Sequence, residues 1–471
     1  MKQLKICLFA VLGLVALGGC SKQLNLKPTD SLTETNAFQT IGDAQLGTNQ
    51  VYAYYGAYAN DMYMSALVSD EGKLGSGNSG QGALTYRYQY SSDGTTGADV
   101  IGAYSSYYIM IDQINRVLAA LPNVTAATGQ EPRRNILKGQ LLALRAIAHF
   151  ELLQIYGKAY TAADPKGVPI MLVSNVAAQP ARNKMGDVLT QVYADLSAAT
   201  ALLPAVTPGS FTDTTINQVT IAAYMARIAL YAGDYQKAID NATAVINSNV
   251  KPLATGANYT GIWTDVSTLP TNPNNEVLFR IQYLNSGAIG GIWTTTGNSI
   301  YVSPSDKLVA AYGAGDIRKA AFIGGTAGNY YVNKFFTSSR GARAVDIKAI
   351  RTSEMYLIRA EAYAKLASPN VAAGAADLNA LRTQRISPYT NQTFATASDL
   401  ITAVMDERYK ELCFEGFRIF DLKRNNFPVQ RNASDASSAW QTLAAGNYRF
   451  AMPIPQTEIL ANPNMVQNDG Y

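Results

Sequence analysis

The sequence is poor in the residues that most often build metal and redox sites. Its 471 residues include one histidine, His149, and three cysteines. A single histidine cannot form a histidine-based metal site, and no cysteine cluster compensates for it. Cys7 and Cys20 lie at the N-terminal leader, so only Cys413 remains and a disulfide framework is excluded. We expect His149 to be a packed helical residue, and the sequence predicts neither a metal nor another cofactor.

Long apolar runs and a concentration of one charge are also missing. After the first 20 residues, no uncharged stretch approaches the roughly 20 apolar residues that cross a bilayer. Charged residues make up 15% of the chain, and the formal net charge of +4 is spread along it. A nucleic-acid-binding surface needs a basic patch or stripe. We therefore expect no transmembrane helix in the mature chain and no nucleic-acid partner.

Motifs that could indicate catalysis lack the context that catalysis needs. Residues 75–80 match G-x-G-x-x-G, but polar segments stand where a nucleotide site needs a strand and a helix. Asp70 and Glu71 are adjacent acids, and glycosidases need two carboxylates about 5–10 Å apart. Adjacent side chains point in different directions, however, and an Asp at a loop start often binds its own backbone. The sequence predicts no enzyme, with glycoside chemistry as a minor alternative.

The N-terminus has the features of an export signal. Lys2 and Lys5 precede an apolar run from Ile6 to Leu17, and Gly18-Gly19-Cys20 follow. A short basic region, an apolar core and small residues describe a secretory signal. The end of this leader resembles a bacterial lipobox, which implies a signal peptide over 1–19, acylation of Cys20 and a polar tether over 20–35. Several acyl chains make a stable anchor. The alternative is an ordinary signal that happens to end near a cysteine.

Helical periodicity dominates the rest of the chain. It is present over 36–59, 104–121, 132–157, 185–203, 216–231, 235–248, 353–367, 371–386 and 397–416. Two regions rich in Gly, Ser, Thr, Asn and Pro interrupt it, at 71–103 and 249–350, and we expect short strands within them at 84–90 and 276–283. Loops of such length are uncommon unless they are functional. The prediction is a mostly α protein with a few short strands and a largely irregular last 45 residues.

The helices are predicted to pair. Ala226, Gly233-Asp234-Tyr235 and Ala242 have the spacing of a tetratricopeptide-like unit, in which small residues let two antiparallel helices approach. Residues 354–385 repeat this pattern, and 141–156 with 185–203 form a third candidate pair. A generic helical hairpin would show part of the same spacing. Stacked pairs form a rigid support, so the irregular regions are candidates for the functional surface.

A run near the C-terminus is more specific than periodicity. Residues 407–424 read ERYKELCFEGFRIFDLKR and closely resemble the ERxxELxFEGxRxxDLxR signature of the SusD/RagB-like family. The segments 453–459, 462–464 and 467–471 are similar to that family's PIPxxEI, NPN and QNxGY terminus. Shorter matches, in the family's order, lie at 144–146, 156–157, 167–169, 195–196, 203–204, 359–363 and 378–382. Because acids and bases alternate in the signature, we expect partly buried ion pairs with a structural role.

The resemblance implies a fold and a function. The fold is a single domain over 36–471, in which tetratricopeptide-like pairs form a right-handed superhelix with inserts at 71–103 and 249–350 and a family-type segment over 353–471. The function is that of a non-catalytic outer-membrane lipoprotein, facing the cell surface, that passes nutrient oligomers to a SusC-like TonB-dependent transporter. The oligomers are expected to be oligosaccharides, with peptides as the alternative. A periplasmic helical-repeat scaffold is a further alternative.

Aromatic residues in the inserts are the candidate ligand contacts. The chain has 29 Tyr against 14 Phe, and tyrosine combines an apolar face with a polar tip. In a strand over 84–90 the three tyrosines would share one side; the alternative is that this side packs on the helices while Arg87 and Gln89 meet solvent. Trp293, flanked by glycines and threonines, is expected to be exposed. The candidates are Tyr86, Tyr88, Tyr90, Trp263, Trp293 and Tyr301.

Overall fold

A computed structural model describes residues 37–265, 275–282 and 289–471. Its α-helices are α1 Ile41–Tyr54, α2 Tyr58–Val68, α3 Ala83–Tyr86, α4 Ala98–Ala120, α5 Glu131–Tyr156, α6 Met185–Leu202, α7 Gln218–Ala232, α8 Tyr235–Ser248, α9 Gly256–Thr260, α10 Asp306–Ala311, α11 Ile317–Phe322, α12 Thr352–Lys365, α13 Val371–Thr383, α14 Ala397–Glu411, α15 Arg418–Arg424 and α16 Gln456–Ala461. Its strands are β1 Gly72–Leu74, β2 Thr264–Asp265, β3 Val277–Ile281, β4 Val302–Pro304, β5 Ile323–Gly324, β6 Tyr331–Val332, β7 Thr337–Ser338, β8 Ile347–Arg351, β9 Val429–Gln430 and β10 Thr442–Leu443. The predicted leader over 1–19, lipidation at Cys20 and tether over 20–35 lie outside the described residues.

The predicted helices and the mostly α fold class are confirmed, with two local corrections. The strand predicted over 84–90 is wrong: α3 occupies its start, and Tyr88 follows with a left-handed φ of 58°. The predicted first insert also extends too far, because α4 begins at Ala98. The strand predicted over 276–283 is present as β3. Because α4 begins at Ala98, its first turns form part of the wall of a groove.

The three predicted helix pairs are present. Helices α5 and α6, α7 and α8, and α12 and α13 pack against each other, and α12 also packs against α8 and α14. Gly233 ends α7 with a φ of +78°, and the Asp234 side chain accepts from the Lys237 N–H to begin α8. At Gly374 a Cβ would lie 2.7 Å from Leu400, so its absence permits the close approach of α13 to α14. The pairing is tetratricopeptide-like; the right-handed superhelix and the single domain stay predictions.

Short strands bring the two inserts together. Strand β1 from the first insert pairs antiparallel with β4 from the second, with Gly72 opposite Pro304 and Leu74 opposite Val302. Strand β3 pairs antiparallel with β8, which leads directly into α12. The pairing of β1 with β4 thus joins segments more than 200 residues apart by backbone hydrogen bonds. The pairing of β3 with β8 attaches the second insert to the helical support.

A buried cluster of ion pairs lies where the second insert meets the signature helix α14. Arg351 bonds carboxylate oxygens of Glu276 at 2.6 Å, Glu411 at 2.9 Å and Glu415 at 2.7 Å. Arg318 and Arg385 also contact Glu411, each at 3.2 Å. All these side chains are at most 3% exposed. The prediction of a structural role for the alternating charges of the signature is confirmed.

The arginines keep the acids of this cluster ionised. Burial alone would raise the pKa of Glu411, but the positive charges of Arg385, Arg351 and Arg318 outweigh it and hold that pKa well below its usual range. The pKa of Glu407 is lowered to about 2, because Arg318, Lys410 and Arg382 outweigh the same effect of burial. Removing one partner of such a pair leaves an uncompensated charge in the core.

We predict that Arg351→Met strongly destabilises the fold, because three buried carboxylates lose a shared partner. The expected loss is about 3–5 kcal/mol of unfolding free energy, measured by urea unfolding at neutral pH. Lys237→Met is the matched control, since Lys237 and Asp234 form an ion pair in which both side chains are 43% exposed; it should cost less than about 1 kcal/mol. Equal effects of the two substitutions would contradict the structural role of the cluster.

Candidate ligand-binding face

The pairing of the inserts creates one continuous surface, here called the insert face and formed by Tyr63 and residues 74–82, 294–301 and 326–331. The Gly75 N–H donates to the Tyr301 carbonyl at 2.9 Å, and the Gly77 N–H to that of Ile300 at 3.0 Å. A Cβ on Gly75 would lie 2.2 Å from the Ile300 carbonyl oxygen. Gly75 and Gly77 therefore permit close backbone packing and Gly80 adopts a φ of +128°, which explains the motif without a nucleotide.

Tyrosines supply the aromatic part of the insert face. Tyr63, Tyr301, Tyr330 and Tyr331 are all half-buried. The pKa of Tyr63 is raised by burial and further by the charges of Asp99 and Tyr301. The Tyr301 hydroxyl has no hydrogen-bond partner among the described residues. A partly exposed ring with a free hydroxyl can stack on a ligand and bond to it.

Polar residues surround these rings. Ser76, Thr296, Asn298 and Asn329 are exposed. Asn298 is held in place because its side-chain oxygen accepts from the Arg343 guanidinium at 2.5 Å. Loop side chains fixed in this way can bind hydroxyls or amides of a ligand with little further ordering.

An open depression adjoins the insert face beside Tyr330. Its volume is about 840 Å³, and Asp316, Lys319 and Thr326 contribute polar groups to its wall. Ser303, in β4, donates to the Tyr330 carbonyl at 2.8 Å and so attaches this region to the paired strands. The depression extends the insert face to a size that can accept more than one ring of an oligomer.

The predicted exposure of Trp293 is wrong, because the side chain is 0% exposed. Its ring stacks on Phe335 at 6.0 Å and meets Tyr63 and Phe414 edge-on at 6.0 and 5.4 Å. The flanking glycine at 290 reflects close packing, since a Cβ there would lie 1.9 Å from the Phe335 carbonyl oxygen. Trp293 supports the insert face from beneath and offers no ring surface to a ligand in this structure.

Trp263 is also a supporting residue. It is 2% exposed and packs edge-on against Phe322 at 5.3 Å. The Lys334 ammonium lies 4.6 Å from its ring centroid and binds Glu415 at 2.6 Å. Trp263 therefore connects the second insert to the buried ion pairs, and the structure does not place it on the insert face.

Tyr86, Tyr88 and Tyr90 are packed residues. Each is at most 7% exposed, and their hydroxyls donate to the carbonyls of Asp435, Val68 and Arg449. The Arg431 guanidinium lies 3.9 Å from the Tyr86 ring centroid and 4.6 Å from that of Tyr88. Arg87 and Gln89 are exposed. The packing alternative left open by the sequence is therefore confirmed, and of the six candidate ligand contacts only Tyr301 lies at the surface.

The adjacent acids Asp70 and Glu71 lie beneath the insert face and are at most 1% exposed. Asp70 binds Arg418 at 2.7 Å and Lys307 at 2.6 Å, and these charges outweigh burial and lower its pKa to about 2. Burial raises the pKa of Glu71 to about 8, although the Phe414 N–H donates to it. The two carboxyls have structural partners in the core and do not face an open cleft.

His149 is a packed histidine, as predicted. Its Nδ1 lies 2.9 Å from the Arg145 carbonyl oxygen, and its Nε2 accepts from the Met171 N–H at 3.1 Å. This pattern requires a neutral ring that donates from Nδ1. Burial lowers the pKa of His149 to about 4. The residue joins α5 to the loop after it and has no free nitrogen for chemistry.

A groove of different character lies between α4, the loop 169–180 and residues 455–458. Its volume is about 730 Å³, and Ile101, Tyr108, Met171 and Val176 line it. Exposed apolar side chains surround it, and Val176 reaches 87% exposure. Two of its polar groups are already used: the Tyr108 hydroxyl donates to the Pro169 carbonyl, and Asp112 binds Arg116 and Ser174. The groove suits an apolar surface better than a hydroxyl-rich ligand.

Comparisons with known protein families and structures agree with the mostly helical fold. The sequence model described as the SusD family matches residues 310–471, and the one described as starch-binding associating with outer membrane matches residues 22–230. The chain belongs to the SusD/RagB-like family.

Relatives of this SusD/RagB-like chain match it from end to end. SusD-like protein P2 of Formosa agariphila is 24% identical, with both chains covered in full. A SusD superfamily protein from Bacteroides thetaiotaomicron is 25% identical, with a TM-score of 0.79 over 91% of this chain and 99% of that one. A laminarin-binding SusD-like protein shares the fold at 21% identity, with a TM-score of 0.70 over 92% and 100% of the two chains.

Some residues of the candidate site could not be selected from the sequence. Tyr63 lies in α2, a helix in which Met62 and Met64 are both buried, and nothing in its local pattern distinguishes a surface tyrosine from a core one. Asn298 and Asn329 follow turn-rich segments, where amides usually satisfy their own backbone. Glycine content indicated the position of the insert face in this SusD/RagB-like chain, but not its contacts.

None of the described helices is both long enough and apolar enough to cross a membrane. Among the residues that the structure describes, no group of three or more His, Cys, Asp or Glu side chains is arranged to hold a metal ion.

We predict that Glu71→Gln changes the pH dependence of stability. The folded state keeps a proton on Glu71 up to a pKa of about 8, whereas the unfolded chain releases it near 4.5. The wild type therefore loses unfolding free energy as pH rises through this window, by up to about 1.4 kcal/mol per pH unit. Urea unfolding between pH 5 and 9 should show that the unfolding free energy of the variant rises relative to that of the wild type up to about pH 8. Parallel profiles would contradict a protonated Glu71.

Proposed function

We propose that this protein captures oligosaccharides at the insert face and delivers them to a SusC-like TonB-dependent transporter in the outer membrane. The observation that carries the proposal is the pairing of β1 with β4. It places the half-buried rings of Tyr63 and Tyr301 among exposed Ser, Thr and Asn side chains on one surface. No catalytic group is needed for this function.

The chemistry of the insert face suits a saccharide. A pyranose ring has apolar C–H faces that stack on aromatic rings, while its hydroxyls both donate and accept hydrogen bonds. Tyr301 offers a ring and a free hydroxyl, and Asn329 and Thr296 offer exposed polar groups. The nearby acids Asp70 and Glu71 are buried in the core, so the accessible groups are suited to binding.

The comparisons support a carbohydrate ligand. One family model that matches this chain is described as starch-binding, and a structural neighbour binds laminarin. The same family description refers to association with the outer membrane. We extend this to a lipid anchor at Cys20 and a cell-surface position, from which a captured oligomer can reach the transporter.

Calorimetric titration with a panel of oligosaccharides and a pooled peptide digest tests the ligand class and the site. We expect saturable binding of one glycan class, weakened about tenfold in Tyr301→Ala because a stacked ring contributes about 1 kcal/mol or more. Two variants serve as controls: Tyr356→Ala removes a half-buried tyrosine elsewhere, and Val176→Ser alters the apolar groove. Both should bind as the wild type does.

Other titration outcomes would change the proposal. Binding that is lost in Val176→Ser and kept in Tyr301→Ala would move the ligand site to the groove. Saturable binding of peptides alone would replace the carbohydrate ligand by a peptide.

The anchor is tested in cells of a bacterium that processes lipoproteins. We expect the full-length protein to incorporate labelled palmitate, and Cys20→Ala to lose both the label and the membrane fraction. Protease added to intact cells should degrade the anchored wild type, which reports its surface position. Label retained in Cys20→Ala would reject the anchor, and protection from protease would place the protein on the periplasmic side.

A further inference from the structure

A second cavity lies where three segments distant in sequence meet, here called the C-terminal pocket. These segments are residues 158–164 after α5, residues 422–427 at the end of α15 and residues 446–451 after β10. The volume is about 300 Å³, which is about ten times the share of one water molecule in the liquid and falls at the lower end of the range for ligand cavities. None of its lining residues belongs to the insert face.

Aromatic rings form one wall of the C-terminal pocket. Phe427 is 36% exposed, Tyr448 is half-buried and Phe450 is 4% exposed. The Tyr448 ring is fixed in position, because Tyr471 meets it edge-on at 5.0 Å and the Arg449 guanidinium lies 4.9 Å from its centroid. Rings held in this way provide an apolar surface that is ordered before a ligand arrives.

Polar groups without protein partners line the rest of the pocket. Asn447 is oriented because its Oδ1 accepts from the Arg449 N–H at 3.0 Å, and Asp164 because its Oδ1 accepts from the Lys166 N–H at 2.8 Å. Among the described residues, the Asn447 Nδ2, the other Asp164 oxygen, the Asn426 amide and the Thr161 hydroxyl have no hydrogen-bond partner. The pocket thus offers both donors and acceptors whose positions the backbone already sets.

The charges at this pocket do not favour an ionic ligand. Lys423 is 5% exposed and donates to the carbonyls of Gln154 and Gly157 at the C-terminal end of α5, and burial lowers its pKa to about 7. Lys158, at the rim, binds Asp469 at 2.6 Å. Asp164 adds a negative charge to the same wall. A lining that contains both amino groups and a carboxylate matches a ligand with several hydroxyls, each of which donates and accepts.

We propose that the C-terminal pocket binds a single neutral hexopyranose ring, such as the terminal residue of a glycan chain, independently of the insert face. The apolar wall of Phe427 and Tyr448 packs on one face of the ring. Asn426, Asn447, Thr161 and Asp164 bond to its hydroxyls. The pocket has room for one ring, so it recognises a chain end and not the interior of an oligomer.

Saturation-transfer NMR with the purified protein tests this site, with methyl glucopyranoside, methyl galactopyranoside and methyl mannopyranoside as probes. We expect transfer to at least one of them, with an affinity roughly tenfold weaker in Phe427→Ala and in Asn426→Gly, because each variant removes a wall contact or a hydrogen-bonding amide. Asn426→Gly is chosen because the residue has a left-handed φ of 53°, which glycine adopts without strain. Thermal unfolding of both variants should match that of the wild type.

Tyr301→Ala separates this site from the insert face. The proposal requires that this variant bind the simple glycosides as the wild type does, whatever its affinity for an oligosaccharide at the insert face. Absence of transfer from all three probes would overturn the proposal, as would equal affinities in wild type, Phe427→Ala and Asn426→Gly. Loss of monosaccharide binding in Tyr301→Ala would also overturn it, because the probes would then bind at the insert face.

Discussion

The structure depends on the pairing of charges in its core. Glu411 receives hydrogen bonds from Arg318, Arg351 and Arg385, and these arginines come from the second insert, from β8 and from the end of α13. An ionised group without a partner in such surroundings is costly by several kcal/mol. The segments that carry the arginines therefore have essentially one arrangement around the signature helix. The signature ERYKELCFEGFR is thus a structural centre, to which loops with little secondary structure of their own are attached.

A few contacts connect these buried ion pairs to the insert face. Glu415 binds Lys334, whose ammonium lies over the ring of Trp263, and the Phe414 N–H binds Glu71 at the start of β1. Phe414 also packs edge-on against Trp293, which in turn meets the Tyr63 ring edge-on. Buried tryptophans and paired acids thus hold two loop-rich inserts in a fixed relation. This explains how a surface of glycine, serine and threonine can be ordered enough to bind a ligand.

Much of the helical support could be predicted from the sequence, because the local spacing of apolar residues identifies helices. The bounds of α5 to α8 and α12 to α14 follow closely from apolar periodicity and from signals such as Gly233-Asp234. The family signature also identified its buried ion pairs, because alternating charges beside apolar residues have few other uses. The position of the proposed ligand surface was indicated as well, since two glycine-rich inserts stand out from a helical chain.

The ligand contacts themselves could not be chosen in this way, because exposure in a loop depends on contacts from far along the chain. Tyr86 is covered by Asp435 and Arg431, and Tyr90 by Arg449, all more than 340 residues away. Glycines beside Trp293 suggested an exposed ring but serve close packing against Phe335. Conversely, Tyr63 lies in a helix between two buried methionines, and nothing in its local pattern marks it as accessible. Local pattern identifies which segments are irregular, and only the tertiary contacts decide which side chains remain accessible.

Hydrogen–deuterium exchange with and without a saturating oligosaccharide tests most directly whether the paired inserts are the ligand surface. Protection on binding should appear in the insert segments 74–82, 294–301 and 326–331, while the α4 wall of the apolar groove, over 101–113, exchanges as in the free protein. Protection in α4 and the loop 169–180, without any change in the inserts, would contradict the assignment of the insert face and place the ligand in the groove.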